Sequence, residues 1–162
     1  MRELKAIQAL KRKGDYPALV ARADNLLRSH PYSVQLLVLK AQALQLLEDV
    51  DTPTPLTEAK RLLALAVTLD PKAVDALNEL AFYTFAVEDQ TKKALDLFER
   101  AMRTSLESFK EAQIGKIQCL LDLDRWSDCE RALRDTRRVL GNAPEIAQLE
   151  QELRATRQSH KA

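Results

Sequence analysis

The sequence predicts an all-α protein built from helical hairpins that repeat along the chain. Only 3 glycines and 6 prolines occur in 162 residues, of which 46% are hydrophobic and 30% charged, so most of the chain permits helix and can bury a core. Apolar residues recur at steps of three and four, which gives each short helix one apolar stripe. Pairs of small and apolar residues, spaced by four, also return after 40, 35 and 35 residues.

The recurring pairs are Leu19/Ala23, Ala59/Leu63, Ala94/Phe98 and Cys129/Leu133. One helix pair cannot bury two apolar stripes by itself, whereas a stack of neighbouring pairs can. Small side chains let helices approach closely where they cross, and the alanines expected at these crossings are Ala41, Ala59, Ala66, Ala81, Ala94 and Ala101. We therefore expect stacked hairpins with a free concave face.

This pattern resembles the tetratricopeptide repeat, a helix–turn–helix unit of about 34 residues. Its second-helix signature is matched by Ala59, Leu63, Ala66 and Pro71, and again by Ala94, Phe98 and Ala101, with Leu106 in place of the proline. Gly14-Asp15-Tyr16 resembles the turn of the first unit. In the last unit Ile114-Gly115 fits the family pattern but lies too far from Trp126, so its first helix has two possible registers.

The resemblance implies a right-handed helical-hairpin solenoid of about four repeats. The repeat array covers residues 1–141, with approximate repeats at 1–33, 34–73, 74–108 and 109–141, and a capping helix and tail follow over 142–162. Thr54-Pro55, Asp70-Pro71 and Ala143-Pro144 are typical of helix starts with proline in the first turn. The stretch Val50–Thr57 is the one lengthened connection.

The charge balance argues against a polyanionic partner. With 25 basic and 24 acidic residues the net charge is +1, so no global field favours nucleic acid or an anionic membrane. The two cysteines form no CxxC pair, and the N-terminus lacks the apolar run of a secretory signal. We therefore expect a cytoplasmic protein in a reducing compartment.

Residues that could carry catalysis are few, so we expect no enzyme, no cofactor and no metal site. His30 and His160 are expected to be structural or incidental, and the acidic pair Asp122 and Asp124 to be a solvated turn. Cys129 falls at a helix crossing and is expected to be buried. Three arginines share one predicted helix face and could hold an anion, although interleaved acidic residues favour an ordinary solvated face: Arg131, Arg134 and Arg138.

The resemblance also implies a ligand groove on the inner helices. The implied groove positions are Gln35, Val38, Gln42, Gln45, Asp75, Asn78, Phe82, Phe85, Lys110 and Gln113, and Leu4, Gln8 and Lys11 would extend the surface. Neutral amides suit the N–H and C=O groups of an extended peptide, and exposed phenylalanines suit an apolar anchor. The Lys/Asn/Arg clamp by which some family members grip chaperone C-termini is not matched, because Glu79 replaces a clamp asparagine.

These features predict a protein–protein interaction module that binds a peptide or helix of a partner. One alternative is a dedicated cytoplasmic chaperone or immunity-type inhibitor for one client. Another is a self-assembling structural protein that forms homo-oligomers through an open solenoid end. The residues alone leave open the identity of the partner, the pathway and the role of Val50–Thr57.

Overall fold

The computed structural model describes residues 2–47 and 54–159, which form eight helices and no strand. The helices are α1 Arg2–Lys13, α2 Tyr16–Ser29, α3 Val34–Gln45, α4 Thr54–Leu69, α5 Val74–Ala86, α6 Thr91–Asp122, α7 Trp126–Leu140 and α8 Pro144–Ser159. The all-α prediction is therefore confirmed. Within the described ranges, none of these helices has the length and apolar character needed to cross a bilayer.

The chain divides into two compact units, Met1–Met102 and Arg103–Ala162. The division falls inside α6, whose residues 91–102 belong to the first unit and whose residues 103–122 belong to the second. The first unit also contains α1 to α5, and the second contains α7 and α8.

In the first unit each helix packs against the next one in the chain, from α1 to α5, and α3 also packs against α5. This order of contacts is consistent with a helical repeat, in which each hairpin touches mainly its neighbours. All six alanines expected at helix crossings are buried. Leu19 and Ala94 each occupy the fourth position of their helices, as does Cys129 in α7, and all three are buried.

Two turns of one kind follow α1 and α6. Gly14 has φ 73° and Asp124 has φ 55°, the left-handed conformation that commonly ends a helix. In each case the next amide reaches back to close the helix end, from Asp15 N to the Leu10 carbonyl at 3.1 Å and from Arg125 N to the Leu120 carbonyl at 2.9 Å. An aromatic residue then starts α2 and α7, so both turns have the same design.

A different turn separates α4 from α5, and here the prediction that Asp70-Pro71 starts a helix is wrong. The Asp70 carboxylate accepts a hydrogen bond from Lys72 N at 2.9 Å, and its carbonyl accepts one from Ala73 N at 3.1 Å. These bonds form a turn around the proline, and α5 begins only at Val74. The equivalent turn before α3 joins Ser33 N to the His30 carbonyl at 3.2 Å.

The other two predicted helix starts agree with the structure, since α4 begins at Thr54 and α8 at Pro144. The predicted connection Val50–Thr57 is too long, because residues 54–57 already form the first turn of α4. Residues 50–53 lie outside the described ranges.

The junction expected near residue 108 falls inside the single helix α6. Residues 91–114 contain no glycine and no proline. Leu106 stands where the repeat pattern would have proline, and unlike proline it can donate its amide to the helix. The described chain therefore has no turn at that position.

The second unit is built around a core between α6, α7 and α8, and α7 packs along α8. Its buried residues are Ile117, Leu120, Leu121, Cys129, Ala132, Leu133, Ile146, Leu149 and Leu153. The packing role expected for Cys129 is confirmed, and burial raises the pKa of its thiol. A raised thiol pKa keeps the sulfur protonated and unreactive at neutral pH.

Lys40 forms an ion cluster that joins three helices of the first unit. It is only 6% exposed, and its Nζ lies 2.6 Å from an Asp24 oxygen on α2 and 2.5 Å from a Glu58 oxygen on α4. Burial by itself lowers the pKa of Lys40, but the hydrogen bonds and charges of both carboxylates outweigh it, so the pKa is raised. Lys40 is therefore held charged between two partly exposed carboxylates.

Replacing Lys40 by methionine should lower the free energy of unfolding by about 2 kcal/mol, because two neighbouring carboxylates lose their shared cation. The triple change Lys40→Met, Asp24→Asn and Glu58→Gln should restore most of this loss, since it removes the unpaired charges. Urea unfolding followed by circular dichroism measures both variants. A triple variant as unstable as the single one would assign the loss to packing instead.

The pH dependence of the same cluster follows from the raised pKa of Lys40. Its contribution is complete at neutral pH and disappears as the pH rises above the unfolded value of 10.5 and through the folded value. The stability difference between wild type and Lys40→Met should therefore shrink in that alkaline range.

Candidate functional site

The first unit contains a groove of about 750 Å³ formed by residues of α1, α3 and α5 and of the turn before α5. Its lining residues are Gln8, Lys11, Val34, Gln35, Val38, Leu39, Gln42, Ala73, Val74, Asp75, Asn78, Glu79 and Phe82. Of these three helices, α3 and α5 pack against each other.

Six of the ten implied groove residues line this groove: Gln35, Val38, Gln42, Asp75, Asn78 and Phe82. On each helix they are spaced by three and then four residues, so they share one face. Gln8 and Lys11 extend the lining onto α1, as expected, whereas Leu4 packs against the core.

Two implied residues on these helices do not line the groove. Gln45 is half-buried at the end of α3, and its amide donates to the Ala41 carbonyl at 3.2 Å. Phe85 is 52% exposed, but it lies one helical turn beyond the groove residue Phe82. The groove therefore ends one turn earlier on both helices than the family positions imply.

Lys110 and Gln113 belong to the second unit. Lys110 Nζ lies 2.9 Å from a Glu145 oxygen on α8, and this bond raises the pKa of Lys110 and lowers that of Glu145. Gln113 is half-buried, and its amide oxygen accepts no hydrogen bond from the described residues.

Gln42 links the three helices that form the groove. Lys11 Nζ on α1 donates to the Gln42 amide oxygen at 2.6 Å, and the Gln42 amide nitrogen donates to the carboxylate of Glu79 on α5. Both halves of this amide are therefore occupied within the chain. Glu79 was missed as a groove residue, although its spacing of four from Asp75 places it on the same helix face.

Four other polar side chains in the groove are uncommitted. No side-chain hydrogen bond or ion pair with the described part of the chain is made by Gln8, Gln35, Asp75 or Asn78. Each amide can donate and accept at once, and Asp75 can accept only. These groups are free for an incoming ligand, whereas Gln42 is not.

The apolar part of the lining consists of a buried floor, an exposed aromatic ring and three half-buried residues, Val34, Ala73 and Val74. Val38 is buried, so it forms the floor and is not the open contact that its family position implies. Phe82 is 58% exposed, and its ring packs edge-on against Phe98 with centroids 4.9 Å apart and planes at 77°. Its outer surface remains open while Phe98 supports it from behind.

His30, Asp122 and Asp124, which were considered for catalysis, are not among the described residues that line this groove. His30 caps the C-terminus of α2, with its Nδ1 3.0 Å from Ser29 Oγ, and His160 lies outside the described ranges. Across residues 2–47 and 54–159, no three His, Cys, Asp or Glu side chains are grouped to hold a metal ion.

Comparison with models of protein families gives no match, and a comparison with curated proteins gives none either.

Replacing Gln42 by alanine should lower the free energy of unfolding by about 0.5 to 1.5 kcal/mol, because two interhelical hydrogen bonds are lost. Gln35→Ala is a matched control on the same helix, and it should change stability by less than about 0.5 kcal/mol since Gln35 is exposed and uncommitted. Chemical unfolding of both variants tests this. Equal losses would show that the bridge through Gln42 stabilises nothing.

Proposed function

We propose that this protein is a protein–protein interaction module that binds a segment of a partner in the groove of its first unit. The observation that carries this proposal is Phe82, a large aromatic side chain left open at the groove. Covering an aromatic ring that is already held in place gains apolar burial at low entropic cost, and aromatic residues are common hot spots of interfaces.

The size of the groove favours an extended segment. Neighbouring packed helices lie about 8–10 Å apart, so a path from α1 across α3 to α5 is roughly 20 Å long. An extended chain advances about 3.3 Å per residue, and about six residues would therefore cover the path. The uncommitted amides of Gln35 and Asn78 are suited to the backbone N–H and C=O groups of such a segment.

The charges along the groove favour one orientation of the segment. Lys11 lies on the α1 side, whereas Asp75 and Glu79 lie on the α5 side. A basic side chain of the partner would be attracted to the α5 wall and repelled by Lys11. An apolar side chain of the partner that covers Phe82 would also lie on the α5 side of the groove.

Replacing Phe82 by serine should weaken binding of a groove ligand by about tenfold or more, because the aromatic anchor is lost. Phe85→Ser is the matched control, since Phe85 is similarly exposed but lies outside the groove lining. Ligands are selected from a displayed library of random peptides of about twelve residues, and affinities are measured by fluorescence polarisation.

Two results would contradict the proposal. One is that no selected peptide binds the wild type, and the other is that Phe82→Ser binds as well as wild type. A loss in Phe85→Ser alone would move the site to the neighbouring surface. The helical circular dichroism signal of each variant checks that the fold is intact.

A second candidate function, self-association, is favoured by other apolar side chains of the first unit. Leu95 and Met102 are exposed and lie seven residues apart on one face of α6, so a second copy of the chain could cover them. Light scattering over a wide concentration range tests this candidate. A mass that stays monomeric at every concentration would remove it.

A further inference from the structure

The second unit contains the same eight-residue pattern twice. The pattern Glu-x-x-Leu-Arg-x-Thr-Arg occurs at residues 130–137 on α7 and at residues 150–157 on α8. In both copies the threonine hydroxyl donates to the carbonyl four residues earlier, at 2.7 Å from Thr136 and 2.8 Å from Thr156. Sequence and local geometry therefore agree in the two copies.

Two ion pairs join the two copies of the pattern. Arg157 lies 2.8 Å from a Glu130 oxygen, and Arg137 lies 3.2 Å from a Glu150 oxygen. Each pair joins the first residue of one copy to the last residue of the other. The two helices are therefore antiparallel here, and the two copies are related by an approximate twofold axis between them.

This register places Arg134 and Arg154 at the centre. A step of four residues along α7 from Glu130 reaches Arg134, and the corresponding step along α8 from Glu150 reaches Arg154. Leu133 and Leu153 directly precede these arginines and are buried, so they form an apolar floor. Neither central arginine makes an ion pair with a carboxylate of the described chain.

Eight of the ten patterned residues, all except the two threonines, line a cleft of about 370 Å³. It contains four guanidinium groups and two carboxylates: Arg134, Arg137, Arg154, Arg157, Glu130 and Glu150. Two positive charges therefore remain, whichever arginines the two carboxylates neutralise. Like charges held close together repel, and an anion between them would relieve this repulsion.

We propose that this cleft binds a phosphate group, held between Arg134 and Arg154 across the approximate twofold axis. A phosphate dianion matches the two unneutralised charges, and its oxygens can accept paired hydrogen bonds from two planar guanidinium groups. The volume leaves room for part of the molecule that carries the phosphate. The site lies in the second unit and is independent of the groove of the first.

The test compares two variants that each remove two positive charges from the same protein. Arg134→Gln with Arg154→Gln removes the central pair. Arg131→Gln with Arg138→Gln is the matched control, because these arginines lie outside the cleft lining, 2.9 Å from an Asp128 oxygen and 3.7 Å from an Asp135 oxygen. The probes are inorganic phosphate, a phosphoserine peptide and the same peptide without phosphate, measured by calorimetry at low salt.

Wild type should bind inorganic phosphate or the phosphoserine peptide with a dissociation constant of about 1 mM or tighter. The central double variant should bind at least about tenfold more weakly, and the control within about threefold of wild type. Binding of the phosphoserine peptide should weaken below about pH 6, where its phosphate becomes a monoanion. Tight binding of inorganic phosphate alone indicates a free phosphate compound, whereas a requirement for the peptide indicates a phosphorylated side chain.

Three results would overturn the proposal. They are no binding of either phosphate probe by wild type, equal losses in the two double variants, and equal affinity for the peptide with and without phosphate. A thermal melt of each variant establishes that the second unit is folded during the measurement.

Discussion

The structure depends on burying the apolar stripe of each helix against the next helix in the chain. In the first unit Ala41, Ala59, Ala66 and Ala81 are completely buried, and their small side chains let the helix backbones approach closely. A larger residue at such a crossing would push the helices apart. These contacts run mainly between neighbours, and α3 also packs against α5. The groove lies on the wall of the first unit to which α1, α3 and α5 contribute.

The side chains that line this wall explain the properties of the groove. Its floor is buried by the same packing that fixes the helices, and Phe82, which Phe98 supports, is the most exposed apolar residue of the lining. Gln42 is used to connect the helices, and Gln35 and Asn78 remain uncommitted.

The resemblance to the repeat family predicted much of this site, because the positions that it implies lie three and four residues apart and share one helix face. It correctly grouped Gln35 with Gln42, and Asp75 with Phe82. It failed at Gln45 and Phe85, because the extent of the groove depends on where neighbouring helices cross. It also gave no sign that Val38 would be buried at the floor of the groove, since the burial of a side chain depends on the helices packed over it.

The sequence by itself determined the helical class and the buried alanines. These features are local, and periodicity and the scarcity of glycine and proline are sufficient to specify them. Only the tertiary structure decided that Gln42 joins Lys11 to Glu79 and that the two copies of one pattern on α7 and α8 face each other. Such pairings depend on the register between helices distant in the chain, which no local pattern encodes.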